Sequence, residues 1–66
     1  MDNVMYGVNL NWQTKLFEWN SSDLEENLYQ ILATFRTNFK IEAVGESYQP
    51  ENSEYQWAWR FRRLKE

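Results

Sequence analysis

Sixty-six residues are enough for one small domain, and seven Lys and Arg against ten Asp and Glu leave it at net −3, a balance that argues against a general polyanion binder. The absence of Cys and His removes disulfides and Cys/His zinc sites as reinforcement for a core that buries only about 60% of the unfolded chain's surface. Stability is left to four Trp, four Tyr and four Phe, or to self-association.

No apolar run approaches the roughly 20 residues that cross a bilayer. The opening Met1-Asp2-Asn3 has neither the basic nor the apolar region of a secretory signal, so a cytoplasmic protein without membrane contact is expected.

Val4, Tyr6, Val8 and Leu10 alternate with Met5, Gly7, Asn9 and Asn11, which predicts an extended strand with the first set on one face. The phase changes near Asn11-Trp12-Gln13, after which Lys15, Phe17 and Trp19 alternate. Such a change marks either a hairpin turn or a bulge in one long strand, and the turn is favoured because Asn11 and Gln13 tolerate it.

Leu24, Leu28, Ile31, Leu32, Phe35 and Phe39 recur at spacings of three and four, predicting one amphipathic helix from Ser22 to Asn38. Two start signals compete. Ser22 with Glu25 has capping-box spacing, whereas Asn20 as cap would let Trp19 pack on Leu24 as a hydrophobic staple. Either start places Asp23, Glu25 and Glu26 where the helix dipole favours negative charge, with Arg36 matched to the other end. Asn38 is the expected left-handed C-cap.

From Phe39 the chain alternates again through Ile41 and Ala43, with Lys40, Glu42, Val44 and Glu46 opposite. Gln49-Pro50-Glu51-Asn52-Ser53 supplies a turn. Tyr55, Trp57, Trp59 and Phe61 then form an aromatic face, with Gln56, Ala58, Arg60 and Arg62 on the reverse. An antiparallel hairpin about Pro50–Asn52 keeps Ile41 and Ala43 on the aromatic face and brings Glu42 and Glu46 near Arg60 and Arg62. The expected fold is α+β: one domain over 1–66, with a three- or four-stranded antiparallel sheet and one helix on one face, in the order β(β)αββ.

This inventory is poor in chemistry. Without His or Cys, the commonest general base and strongest nucleophile are missing, and no pair of carboxylates lies in a pattern that would separate their pKa values. Gly7 and Gly45 are isolated and make no phosphate loop. Asn20-Ser21-Ser22 matches a glycosylation acceptor but sits where capping chemistry is expected. No enzyme activity, metal or cofactor is expected.

The cations of Arg60-Phe61-Arg62-Arg63-Leu64-Lys65 could contact nucleic acid, but alternation puts Trp57, Trp59 and Phe61 on the face opposite Arg60 and Arg62, so stacking and phosphate contacts would not share a surface. Residues 1–33 carry five acids against one base, net −4, and residues 34–66 five against six, net +1. Asp23, Glu25 and Glu26, with Glu18 nearby, could present an acidic patch to a basic partner, although ordinary dipole complementation at a helix start is the favoured reading. Trp12, Trp19, Tyr29 and Tyr48 do not fit the inner face, so at least one exposed aromatic is expected.

The strand–helix–strand–strand order is similar to that of dodecin-type flavin binders, a likeness that no motif carries and that fold order alone cannot turn into function. The expected function is that of a protein-binding module acting by stoichiometric contact, an inhibitor or adaptor of the type encoded by phages and other mobile elements. Its contact residues would be Glu42, Val44, Glu46, Tyr48, Arg60 and Arg62 on the outer sheet face, together with the acidic helix start. A homodimer through the sheet face or the last strand as an edge would suit a chain this small. The alternatives are an oligomer that holds a flat aromatic ligand between Trp residues, and nucleic-acid binding by the basic C-terminal strand.

Overall fold

The computed structural model describes residues 3–65; Met1, Asp2 and Glu66 of the expected domain lie outside the described residues. Five strands and one helix follow in the order β1 (Asn3–Met5), β2 (Val8–Asn11), β3 (Leu16–Trp19), α1 (Leu28–Phe39), β4 (Ile41–Ala43) and β5 (Trp57–Arg63). They make one antiparallel sheet of spatial order β1-β2-β3-β5-β4. The α+β class is as expected. The strand count is higher, and the order is βββαββ rather than β(β)αββ.

The additional strand comes from a turn that the alternation concealed. Tyr6 and Gly7 have φ of 58° and 85°, so Met5 pairs directly with Val8 across a two-residue turn of the I′ kind. Met5 consequently shares the inner face with Val8 and Leu10, while Val4 lies beside Asn9 on the outer face. The expected second turn is present but longer. Asn11 Oδ1 accepts from the amides of Gln13 and Thr14, the Lys15 amide donates to the Asn11 carbonyl at 2.8 Å, and Lys15 takes φ 62°. The phase change is thus a hairpin and not a bulge.

Helix α1 begins five or more residues after the expected starts. Ser21–Asp23 forms a single 3-10 turn, Leu24 is extended, and Asn27 is the N-cap, its side chain accepting from the Tyr29 amide at 2.9 Å. Neither Ser22 nor Asn20 caps α1. Tertiary contact overrides the local signal: Glu25 N–H donates to Tyr6 C=O at 3.0 Å, which holds residues 23–25 against the β1–β2 turn. Asn20 instead clips β3 to β5, accepting from the Gln56 amide at 2.7 Å, while Gln56 Oε1 accepts from the Ser21 amide at 3.0 Å. At the other end the left-handed C-cap is Lys40 (φ 58°, ψ 45°), not Asn38. One residue therefore separates α1 from β4, and Phe39 ends the helix rather than beginning a strand.

The core lies between α1 and the inner sheet face. Ile31 and Phe35 of α1 are buried against Val8, Leu10, Phe17, Trp19, Ile41 and Phe61. Phe17 stacks on Phe35 at 5.6 Å between ring centroids and tilts on Phe61 at 4.8 Å. Trp12 closes one end, edge-on to Phe61 at 5.3 Å and to Phe39 at 6.1 Å. Burying each such ring stabilises the fold by roughly 1.5–3 kcal/mol, so rings compensate here for the missing crosslinks.

β5 runs between β3 and β4, each antiparallel to it. It is the inner strand of this half of the sheet, and the edges are β1 and β4. The last strand is therefore not available as an edge for self-association. Its register with β4 puts Glu42 opposite Arg62 and Ala43 opposite Phe61, which keeps the expected faces but is offset by two residues from a hairpin centred on Pro50–Asn52.

Candidate functional site

Strand registers order the outer face into rows. Val4, Asn9, Glu18, Ala58 and Tyr48 form one row across the sheet, and Asn11, Leu16 and Arg60 form the next. Val44 continues the second row, its amide donating to the Arg60 carbonyl at 2.9 Å. This face is not solvated throughout: Asn9 is 1% and Ala58 0% exposed. Asn9 Nδ2 donates to Glu18 Oε1 at 3.1 Å. Pro50, Asn52, Ser53, Glu54 and Tyr55 fold back over β2 and β3, sharing a shallow cleft with Asn11, Leu16 and Glu18. The β4–β5 connection is thus a partial cover rather than a simple turn, and Tyr55 precedes β5 instead of opening it.

On the other side of that cover the face is open. Val44, Gly45, Glu46, Tyr48 and Arg60 line a depression of about 310 Å³. Gly45, at φ 71°, bends the chain after β4, and Tyr48 then rejoins the sheet through paired hydrogen bonds with Ala58 of 2.9 and 2.8 Å. Trp59 Nε1 donates to the Val44 carbonyl at 3.1 Å, securing the floor from the inner side. Tyr48 stands 45% exposed on this fixed backbone.

The expected contact residues therefore divide. Val44, Glu46, Tyr48 and Arg60 come together around the depression. Glu42 and Arg62 instead satisfy each other, Arg62 Nε donating to Glu42 Oε1 at 3.0 Å. That is the single ion pair among the described residues, so Arg60 forms none. Sequence reading missed Leu16 and Gly45; an isolated Gly in a strand pattern was the available signal for the bend.

The acidic residues Asp23, Glu25 and Glu26 are exposed but precede α1, so they are not the first turn of the helix as expected. Of the four aromatics without an expected place, Trp19 is buried and Trp12 is partly buried, whereas Tyr29 and Tyr48 are exposed. Trp57 and Trp59 also pack against the core. Among the described residues no three His, Cys, Asp or Glu side chains converge as a metal site, and no helix is long and apolar enough to cross a membrane.

Comparison adds no family to this geometry: no family model matches the chain, and neither curated proteins nor solved structures give a significant match.

Proposed function

We propose that this chain is a non-enzymatic, cytoplasmic protein-binding module that acts by stoichiometric contact, docking a partner on the outer-face depression of Val44, Gly45, Glu46, Tyr48 and Arg60. The observation that carries this reading is the juxtaposition of a half-exposed Tyr48 on a hydrogen-bonded backbone with Arg60, a cation that forms no ion pair among the described residues. Tyr and Arg dominate binding hot spots because each covers a large area, and a side chain already held in place loses little entropy on docking. Size, acidity and lack of reactive groups fit an inhibitor or adaptor of the type carried by phages and mobile elements.

Tagged wild-type protein and its Tyr48→Ala and Arg60→Ala variants, each used to capture partners from host extract, test the reading. Loss of a hot spot of about 2 kcal/mol corresponds to roughly thirtyfold weaker binding. A stoichiometric partner retained by wild type and by a Gln13→Ala control, but lost by both site variants, is expected. Equal capture by all four proteins would refute the site.

One observation favours a second reading. Tyr48 lies on the same face as Arg60 and Arg62, so an aromatic and cations do share a surface, as single-stranded nucleic acid requires. Glu42 is taken by Arg62 and Glu46 adds a negative charge to the same depression, so the face is of mixed sign, which makes protein the better-matched partner. Nucleic-acid affinity that falls steeply with salt would reverse that preference.

A further inference from the structure

We infer that two copies of this chain pair through the solvent faces of α1, the helices running antiparallel about a twofold axis. The seam is Tyr29, Ala33 and Arg36 of α1, with Lys40 as the left-handed C-cap just beyond it. The spacings of four and three within the helix are those of paired helices, and all four residues are exposed. Tyr29, at 71%, is the most exposed large hydrophobic side chain among the described residues. Ala33 allows the two backbones to approach closely.

Charge fixes both the occupant and the direction. Before α1, residues 23–26 carry Asp23, Glu25 and Glu26. Beyond its other end, Phe39, Lys40, Arg63, Leu64 and Lys65 line a groove of about 520 Å³ that bears three cations. None of these six charged groups forms an ion pair among the described residues, where Glu42 and Arg62 make the single one. The acidic segment is also held in position, because the Asp23 amide donates to Asn20 C=O at 2.9 Å and the Glu25 amide to Tyr6 C=O at 3.0 Å.

One copy thus has an acidic end and a basic end separated by the helix. Antiparallel pairing sets each acidic segment against the partner's basic groove, twice by symmetry, and closes the assembly at two. A crossing between Ala33 and Arg36 brings Tyr29 towards the C-cap end of the second copy, where Lys40 offers an ammonium group to the ring. The helical seam from Tyr29 to Arg36 is only about 11 Å long at 1.5 Å per residue. The contact is therefore small, and the dimer is expected to dissociate on dilution. It leaves Tyr48 and Arg60 open in both copies.

Sedimentation equilibrium across a concentration series tests this, first at about 0.01 M salt and then at about 1 M, where the screening length falls from about 30 Å to about 3 Å. Wild type should dimerise at low salt and dissociate at high salt, and Tyr29→Ala should weaken the dimer about tenfold. Two charge-swapped proteins decide the geometry. Arg63→Glu with Lys65→Glu makes both ends acidic, and Glu25→Lys with Glu26→Lys makes both ends basic. Each alone should be monomeric, and their equimolar mixture should form a one-to-one heterodimer. Monomeric wild type at every concentration, a dimer that survives in either swapped protein alone, or a mixture that fails to associate would each overturn the inference. So would a dimer abolished by Arg60→Ala, which would place the interface on the sheet.

Discussion

Replacing Gly7 by Ala tests how the N-terminal hairpin is seated on the rest of the protein. A Cβ at position 7 would stand 2.0 Å from the Asp23 carbonyl oxygen, 2.6 Å from the Asp23 carbonyl carbon and 3.0 Å from Leu24 Cα. All three are backbone atoms, so no side chain can swing aside. The left-handed conformation alone costs an L residue about 1–2 kcal/mol. Moving residues 23–25 away also breaks the bond from the Glu25 amide to Tyr6 C=O, worth about another 1 kcal/mol. The total is about 2–3 kcal/mol. Gly45 provides the control, because it too has positive φ (71°) but nothing lies within 4 Å of its added Cβ. Gly45→Ala should therefore cost about 1 kcal/mol, for conformation only. Urea unfolding followed by Trp fluorescence separates the two: at a slope near 1 kcal/mol per molar, the midpoint should fall by about 2–3 M for Gly7→Ala and about 1 M for Gly45→Ala. Equal midpoints would show that the close approach at Gly7 does not contribute, and the seating of the hairpin would have to be reconsidered.

Three further substitutions examine single links. Asn27→Ala should cost about 1 kcal/mol through loss of the cap, and Ser22→Ala close to nothing; the reverse order in thermal melts would restore the earlier helix start. Asn20→Ala and Gln56→Ala should each cost about 1–2 kcal/mol, and the double variant should cost less than their sum because both belong to one clip. Additive losses in a double-mutant cycle would mean that the clip is not a unit. Arg62 is 66% exposed beside Glu42, so Arg62→Ala should shift the melting temperature little and by a salt-sensitive amount; a loss comparable to that of Asn27→Ala would contradict a solvent-screened pair.

The parts of the fold legible in the sequence were those where periodicity and tertiary packing coincide. The stripe Leu28, Ile31, Leu32, Phe35 and Phe39 marks α1 because the same residues face the sheet, and Trp57, Trp59 and Phe61 mark β5 for the same reason. The shared faces of β4 and β5 and the nearness of Glu42 to the arginines followed once both patterns were aligned, whereas the register that pairs Glu42 with Arg62 did not. Alternation misled at residues 4–10. A two-residue turn lets even-numbered apolar residues continue in sequence while the chain reverses, and Tyr at the first positive-φ position hides the turn that Gly7 completes. Ser22 and Glu25 imitate a capping box, but the Glu25 amide is taken by Tyr6, a partner distant in sequence that local spacing cannot reveal.

The candidate site divided along the same line. Arg60, Val44 and Tyr48 could be assigned to the outer face by counting residues. The bend at Gly45, which displaces Tyr48 along β5 so that it pairs with Ala58, depends on backbone conformation. The fold-back of Pro50 and residues 52–55 over β2 and β3 rests on contacts between segments far apart in the chain, which a pattern of apolar and polar residues does not encode.

A photo-crosslinking residue placed at Glu46, on the rim of the depression beside Tyr48, with another at the exposed turn residue Gln13 as reference, tests the docking face most directly. Irradiation in host extract should give one discrete, stoichiometric adduct from position 46 and none from position 13, and the adduct should disappear when Arg60→Ala is added. A ladder of weak products common to both positions, or a discrete adduct from position 13 alone, would contradict docking at the Tyr48–Arg60 depression.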